Sequence, residues 1–88
     1  MRYTVAFTAQ SMKQLNKLDR HTKLLIVAWI RKNLEGCSNP RQHGKGLTAN
    51  RSGKWRYRIG DYRIIADISD EKVTVLVLEV GHRSKVYQ

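Results

Sequence analysis

The sequence predicts an α+β domain of order β-α-α-β-β-β, an antiparallel sheet with both helices packed on one face. Three observations predict it. A short alternating stretch opens the chain, apolar residues then recur at helical spacing from about 9 to 34, and beyond a glycine-containing loop the period changes to two.

Each element has its own reason. "YTVAF" (3–7) alternates and is β-branched or aromatic, as a strand requires. Thr8 offers an N-cap to "AQSMKQLNKL", where Met12, Leu15 and Leu18 share one face and lysines take the other. Asp19 can cap a second helix over about 20–34, with Ile26, Val27, Ile30 and Leu34 as its stripe. Leu24, Leu25 and Trp29 broaden that stripe, so this helix is expected to be the more buried of the two. "GCSNPRQHGKGL" (36–47) holds three of the six glycines and the single proline, and reads as a loop. Strands follow at about 54–59, 61–68 and 72–80, joined by turns at Gly60-Asp61 and Asp70-Glu71. The first strand joins this sheet, with a place beside the last strand as one arrangement. A tail, "GHRSKVYQ", closes the chain. No repeat or linker divides it, so residues 1–88 are read as a single domain.

Composition narrows the function. Seventeen lysines and arginines against seven acids leave a formal charge of +10. Solubility alone would be better served by Asp and Glu. A field this positive attracts polyanions, nucleic acid foremost. Cys37 is the sole cysteine, which excludes an intrachain disulfide and fits a reducing compartment. The apolar run "LLIVAWI" is far short of the roughly 20 residues that span a bilayer. The chain is therefore expected to be cytoplasmic, without membrane contact. No spacing of His, Cys or acids suggests a metal site, and no metal or cofactor is expected.

The stretch "KWRYRIGDYRII" (54–65) is the most informative. A two-residue turn at Gly60-Asp61 pairs Ile59 with Tyr62, Arg58 with Arg63, Tyr57 with Ile64, Arg56 with Ile65, Trp55 with Ala66 and Lys54 with Asp67. Opposite residues share a face. Trp55, Tyr57, Ile59, Tyr62, Ile64, Ala66 and Ile68 therefore face the helices. Lys54, Arg56, Arg58, Arg63, Ile65 and Asp67 face the other way. Like charges directly opposite destabilise a sheet. Arg58 opposite Arg63 is then either an exposed pair splayed into solvent or a preassembled anion site whose guanidiniums fork onto phosphate oxygens. Lys45, Arg51 and His43 in the preceding loop can widen this surface into a track for a phosphodiester backbone. If the last hairpin pairs Ile68 with Val73, Leu76 and Leu78 also reach the arginine face and leave apolar surface there for a partner segment. In the tail, His82, Arg83, Lys85 and Tyr87 crowd into six residues, and an aromatic beside cations suits an unstacked RNA base.

The runs "WRYRIGDYRIIADI" and "VLVLEVGHRSKVY" resemble the C-terminal half of the RelE toxins, in the RelE/ParE superfamily of toxin–antitoxin systems. "GDYRII" and "VGHRSKVY" are the most specific parts, and the element order extends the resemblance over almost the whole chain. It implies a toxin of a type II system. Such toxins enter the ribosomal A site and cut messenger RNA without metal, by attack of the 2′-hydroxyl on the adjacent phosphate. Arg56, Arg58, Arg63, Arg83 and Tyr87 fall on the family's catalytic positions, and Lys45, Arg51, Lys54 and Lys85 are the accompanying RNA-binding cations. Some relatives carry lysine where this chain has Arg56 and Arg58, and arginine does not release its proton. His82 is then the titratable candidate for general base. The implied partners are a cognate antitoxin, the ribosome and its messenger RNA. The implied assembly is a toxin–antitoxin hetero-oligomer that binds operator DNA through the antitoxin. The alternative within the superfamily is a ParE-like toxin that poisons DNA gyrase without nuclease chemistry. A third is a member that only binds antitoxin and DNA.

Overall fold

A computed structural model describes residues 1–47 and 53–86. Each of the two long helices starts on the cap the sequence offers. Thr8 Oγ1 accepts from the backbone N–H of Ser11 at 3.1 Å and opens α1 (Ala9–Asn16). Asp19 Oδ2 accepts from Thr22 N–H at 3.1 Å and opens α2 (Arg20–Asn33). The strands are β1 (Thr4–Phe7), β2 (Lys45–Gly46), β3 (Trp55–Ile59), β4 (Tyr62–Ser69) and β5 (Thr74–His82). A 3-10 turn, Pro40–Gln42, precedes β2, and a one-turn helix, α3 (Arg83–Val86), follows β5.

The sheet order is β1-β5-β4-β3-β2. The first strand does lie beside the last, as one reading allowed, but parallel to it. The sheet is thus mixed rather than wholly antiparallel. A parallel pair needs a long connection, and the chain from α1 through β4 supplies it. β3, β4 and β5 are antiparallel neighbours, as expected, and β2, from the stretch read as loop, adds an antiparallel edge beside β3.

Leu15, Ile26, Ile30 and Leu34 from the helical side meet Tyr57, Ile64, Ala66, Val75, Val77 and Val80 from the sheet. Trp55, Ile59, Tyr62 and Ile68 pack at the edges of this core, so the expected helix-facing row of the hairpin is the one observed. Tyr57 is wholly buried, and its hydroxyl donates to the carbonyl of Pro40 at 2.7 Å. α1 sits so close to β5 that its contact residue is a serine: Ser11 is fully buried and donates to Val77 O at 2.8 Å. Gln14 accepts from Val80 N–H at 2.7 Å in the same seam.

Two expectations about the helices fail. Leu24 and Leu25 are 55% and 53% exposed rather than part of the buried stripe, and Met12 is 41% exposed. A helix laid on one sheet face buries positions about four apart, here 26, 30 and 34. At roughly 100° per residue, Leu24 and Leu25 point elsewhere.

The final hairpin is wider than expected. Ser69 pairs with Thr74 across a four-residue loop, and Ile68 meets Val75 instead of Val73. A shift of two preserves parity, so Leu76 still shares a face with Asp67. A bulge at Leu78 then reverses the parity, and Ile65 faces Glu79, Arg63 faces Gly81 and Tyr62 faces His82. The loop is held from outside: Arg41 forks onto Asp70 at 2.9 and 3.2 Å, and the Tyr3 hydroxyl donates to the same carboxylate at 2.6 Å. Among the described residues, no helix is long and apolar enough to cross a membrane.

Candidate functional site

Five of the six strand pairs expected of the first hairpin are in the sheet register, including Arg58 opposite Arg63, and the sixth, Lys54 with Asp67, is a side-chain contact at 3.8 Å. Gly60 takes φ +59° at the first turn position, while Asp61 keeps a negative φ, the pattern of a type II′ hairpin turn. This turn fixes which residues share a face. Two cationic rows result on the side away from the long helices. Lys45, Arg56, Ile65 and Glu79 lie across β2, β3, β4 and β5. Next to them lie Arg58, Arg63 and Gly81 across β3, β4 and β5.

Arg63 is at the centre. It is only 6% exposed, although it stands beside two other arginines on the sheet. Gly81, opposite it on β5, contributes no side chain to crowd it. Its Nη1 donates to Gly60 O and Tyr62 O at 3.4 and 3.3 Å, beyond the usual N–H···O range. Its Nε is buried and has no hydrogen-bond partner among the described residues. Burial, followed by the charges of Arg58, Arg56 and Arg83, pushes its pKa below the ordinary guanidinium value, against a small opposing pull from Asp61. An arginine cannot relieve this by losing its proton. The site therefore concentrates positive charge around a partly desolvated donor, an arrangement that an incoming phosphate satisfies.

The remaining candidates divide. Arg83, the first residue of α3, is exposed, and its N–H donates to Asp61 O at 2.9 Å, which ties α3 to the hairpin turn. Its charge is among those acting on Arg63. Lys54 is drawn toward Asp67 at 3.8 Å, the expected cross-strand pair. Lys85 lies in α3. Arg51 and Tyr87 lie outside the described residues. His82 is not brought to the arginines: it stands opposite Tyr62 on the helix-facing side, with the ring centroids 5.6 Å apart and edge to face. His43 is also turned away, its ring against Trp29 at 5.6 Å.

Two members of the cationic face were missed or misjudged from sequence. Lys45 reads as a loop cation but is held in β2 directly opposite Arg56. The chain can approach that closely because residue 44 is glycine: with φ +74°, a side chain there would run into the Arg56 carbonyl. Glu79, a carboxylate in the Arg56 row, reaches it only through the bulge. A two-residue strand and a bulge leave no periodic signal, so neither strand position could be read in advance, although Lys45 itself was read as a cation of this surface.

The fold of two helices on a five-stranded mixed sheet has known counterparts. The family model for the ParE toxin of type II toxin–antitoxin systems matches residues 5–87. The chain therefore belongs to the RelE/ParE superfamily of type II toxins. It is 34% identical over 88 residues to toxin RelG of Mycobacterium tuberculosis, covering all of this chain and 99% of that protein. Toxin RelE of the same organism is 30% identical over 86 residues, 98% of this chain and 87% of the relative. Among solved structures, the toxin–antitoxin complex RelBE2 of Mycobacterium tuberculosis superposes with a TM-score of 0.85 at 33% identity, over 97% of this chain and 95% of that one.

Proposed function

We propose that residues 1–88 form a single toxin domain that cleaves messenger RNA in the ribosomal A site. The observation that carries this reading is the burial of Arg63 under the charges of Arg56, Arg58 and Arg83 on one sheet face. Cleavage forms a bond from the 2′-oxygen to phosphorus and breaks the bond to the 5′-oxygen. It yields a 2′,3′-cyclic phosphate and a 5′-hydroxyl. Negative charge grows on the nonbridging oxygens as the phosphorane forms. Fixed donors aimed at that charge are the largest single catalytic lever at such a centre. Arg63 and Arg58 meet the nonbridging oxygens, Arg56 binds the adjacent phosphate, and Arg83 stabilises the leaving oxygen. Lys45, Lys54, Arg51 and Lys85 extend the contact along the backbone. Tyr87 stacks on a base and aligns the 2′-hydroxyl for in-line attack.

The proposal includes a cognate antitoxin that masks this face in a hetero-oligomer and carries operator DNA binding, supported by the relative that was solved as a toxin–antitoxin complex. It also places the active toxin in the cytoplasm, on ribosomes. The test adds purified protein to programmed ribosomes and maps cuts by primer extension. Cuts at the A-site codon that disappear with Arg63→Ala or Arg83→Ala support it. The match to the ParE toxin family gives the second reading, a gyrase poison. Intact messenger RNA together with inhibited DNA supercoiling would select that one.

A further inference from the structure

His82 sits one residue before the helix that carries Arg83, and its ring is tied to that helix. Its Nδ1 lies 3.3 Å from the backbone N of Ser84 and 3.0 Å from the Ser84 hydroxyl. A backbone N–H can only donate, so Nδ1 is the acceptor and carries no proton. The ring in this arrangement is the neutral tautomer with its proton on Nε2. This is the geometry of a helix N-cap, with imidazole nitrogen in place of the usual side-chain oxygen. The edge-to-face contact with Tyr62 fixes the plane of the ring. On the other side of the junction, Arg83 N–H donates to Asp61 O at 2.9 Å. The strand end, the ring and the turn thus meet where β5 becomes α3.

We propose that His82 is a positioning residue: as a neutral cap it sets α3, and with it Arg83, beside the buried Arg63, and protonation releases that cap. This rests on the RNA-cleavage reading for its consequence, though not for its structure. A proton on Nδ1 would point at the Ser84 N–H, donor against donor. The ring could keep Ser84 Oγ as an acceptor, but the contact between Nδ1 and the Ser84 amide would be lost. Among the described residues, the charged groups near this junction are Lys17 from α1 and Glu79 of β5, which line the same recess as His82 although Glu79 pairs on the opposite face, and Asp61 and Arg83, joined through their backbones. The arginine cluster thus acquires a pH dependence, although no arginine titrates.

The test is made on the full chain, by hydrogen exchange of the Ser84 amide and by single-turnover cleavage on programmed ribosomes, each between pH 5.5 and 7.5. In the wild type, the Ser84 protection factor is expected to fall about tenfold toward the acid end, the size of losing one cap. His82→Asn retains an acceptor that does not titrate, so protection and cleavage should stay near the wild-type neutral value at both ends. His82→Ala should show low Ser84 protection throughout and cleavage slowed about tenfold, without the acid limb. Unchanged Ser84 protection in His82→Ala, or pH-independent protection in the wild type, overturns the cap. A well-capped His82→Asn that does not cleave overturns positioning and assigns the ring to the chemistry. If the alanine variant does not fold, the wild-type series and His82→Asn decide the matter. If the wild type cuts no messenger RNA, the cleavage reading fails by itself, and Ser84 protection still decides the cap.

Discussion

Tyr57 and Arg63 are both polar, both nearly sealed from water, and sit on adjacent strands of one hairpin on opposite faces of the sheet. Their surroundings treat them differently. The Tyr57 hydroxyl has a carbonyl at 2.7 Å, and the ring packs against Trp29 at 5.6 Å between centroids. Among the described residues, Arg63 has two long contacts, a buried Nε without a partner and three arginines whose charges bear on it. Tyr57 is completed by the fold, whereas Arg63 is left incomplete by it. A buried charge without its counter-ion is an expense to stability. A site that tolerates one is arranged for something from outside.

That contrast can be broken at either end. The largest effect belongs to Tyr57→Ala, which empties a core position and should cost about 3 to 5 kcal/mol in chemical denaturation. A loss under 1 kcal/mol would mean that Tyr57 is not the keystone described. Tyr57→Phe removes only the hydroxyl and strands the Pro40 carbonyl, at about 1 kcal/mol. It also carries a pH signature. Burial raises the Tyr57 pKa, so its contribution is complete below the unfolded value near 10 and is lost as pH rises through the higher folded value. Alkaline titration should therefore destabilise the wild type more steeply than Tyr57→Phe.

Asp70 sharpens the comparison from the opposite direction, as a charge the fold does complete. Hydrogen bonds from Arg41 first and Tyr3 second hold its pKa below the usual 3.8. A depressed carboxylate stabilises above its unfolded pKa, and that contribution is lost as pH falls through the folded one. Asp70→Asn should lower the melting temperature at pH 7, and the gap should close below pH about 4. A gap unchanged at pH 3 would remove the ion pair from the account. The smallest effect is Arg58→Ala. Removing one member of a like-charged cross-strand pair should raise stability by a few tenths of a kcal/mol, about the size of a sheet pair contact.

The hairpin was legible in the sequence because its geometry is local. Gly60 takes the backbone conformation of a two-residue turn, and turn length then decides every facing from Trp55 to Ala66. The capping residues Thr8 and Asp19 were legible for the same reason. The positions of Lys45, Glu79 and His82 were not. The first depends on Gly44 letting a loop touch β3, and the other two on a bulge that turns the end of β5 over. The exposure of Leu24 and Leu25 shows another limit. Hydrophobicity names the residues able to enter a core, but the axis along which a helix meets the sheet selects among them. The burial of Arg63 was invisible too, since a charged residue in an alternating strand looks like a solvent-facing one.

The central claim is that Arg63 is held for a phosphate and not for the fold. It is tested most directly by Arg63→Met, a side chain of similar reach without charge, measured for unfolding free energy and for cleavage on programmed ribosomes. Replacing an incompletely paired buried charge with an apolar side chain is expected to be neutral or to stabilise by about 1 kcal/mol. Loss of a donor to the developing phosphorane charge should slow single-turnover cleavage by about 10²- to 10³-fold. A variant that unfolds more easily yet cuts at the wild-type rate would contradict the account.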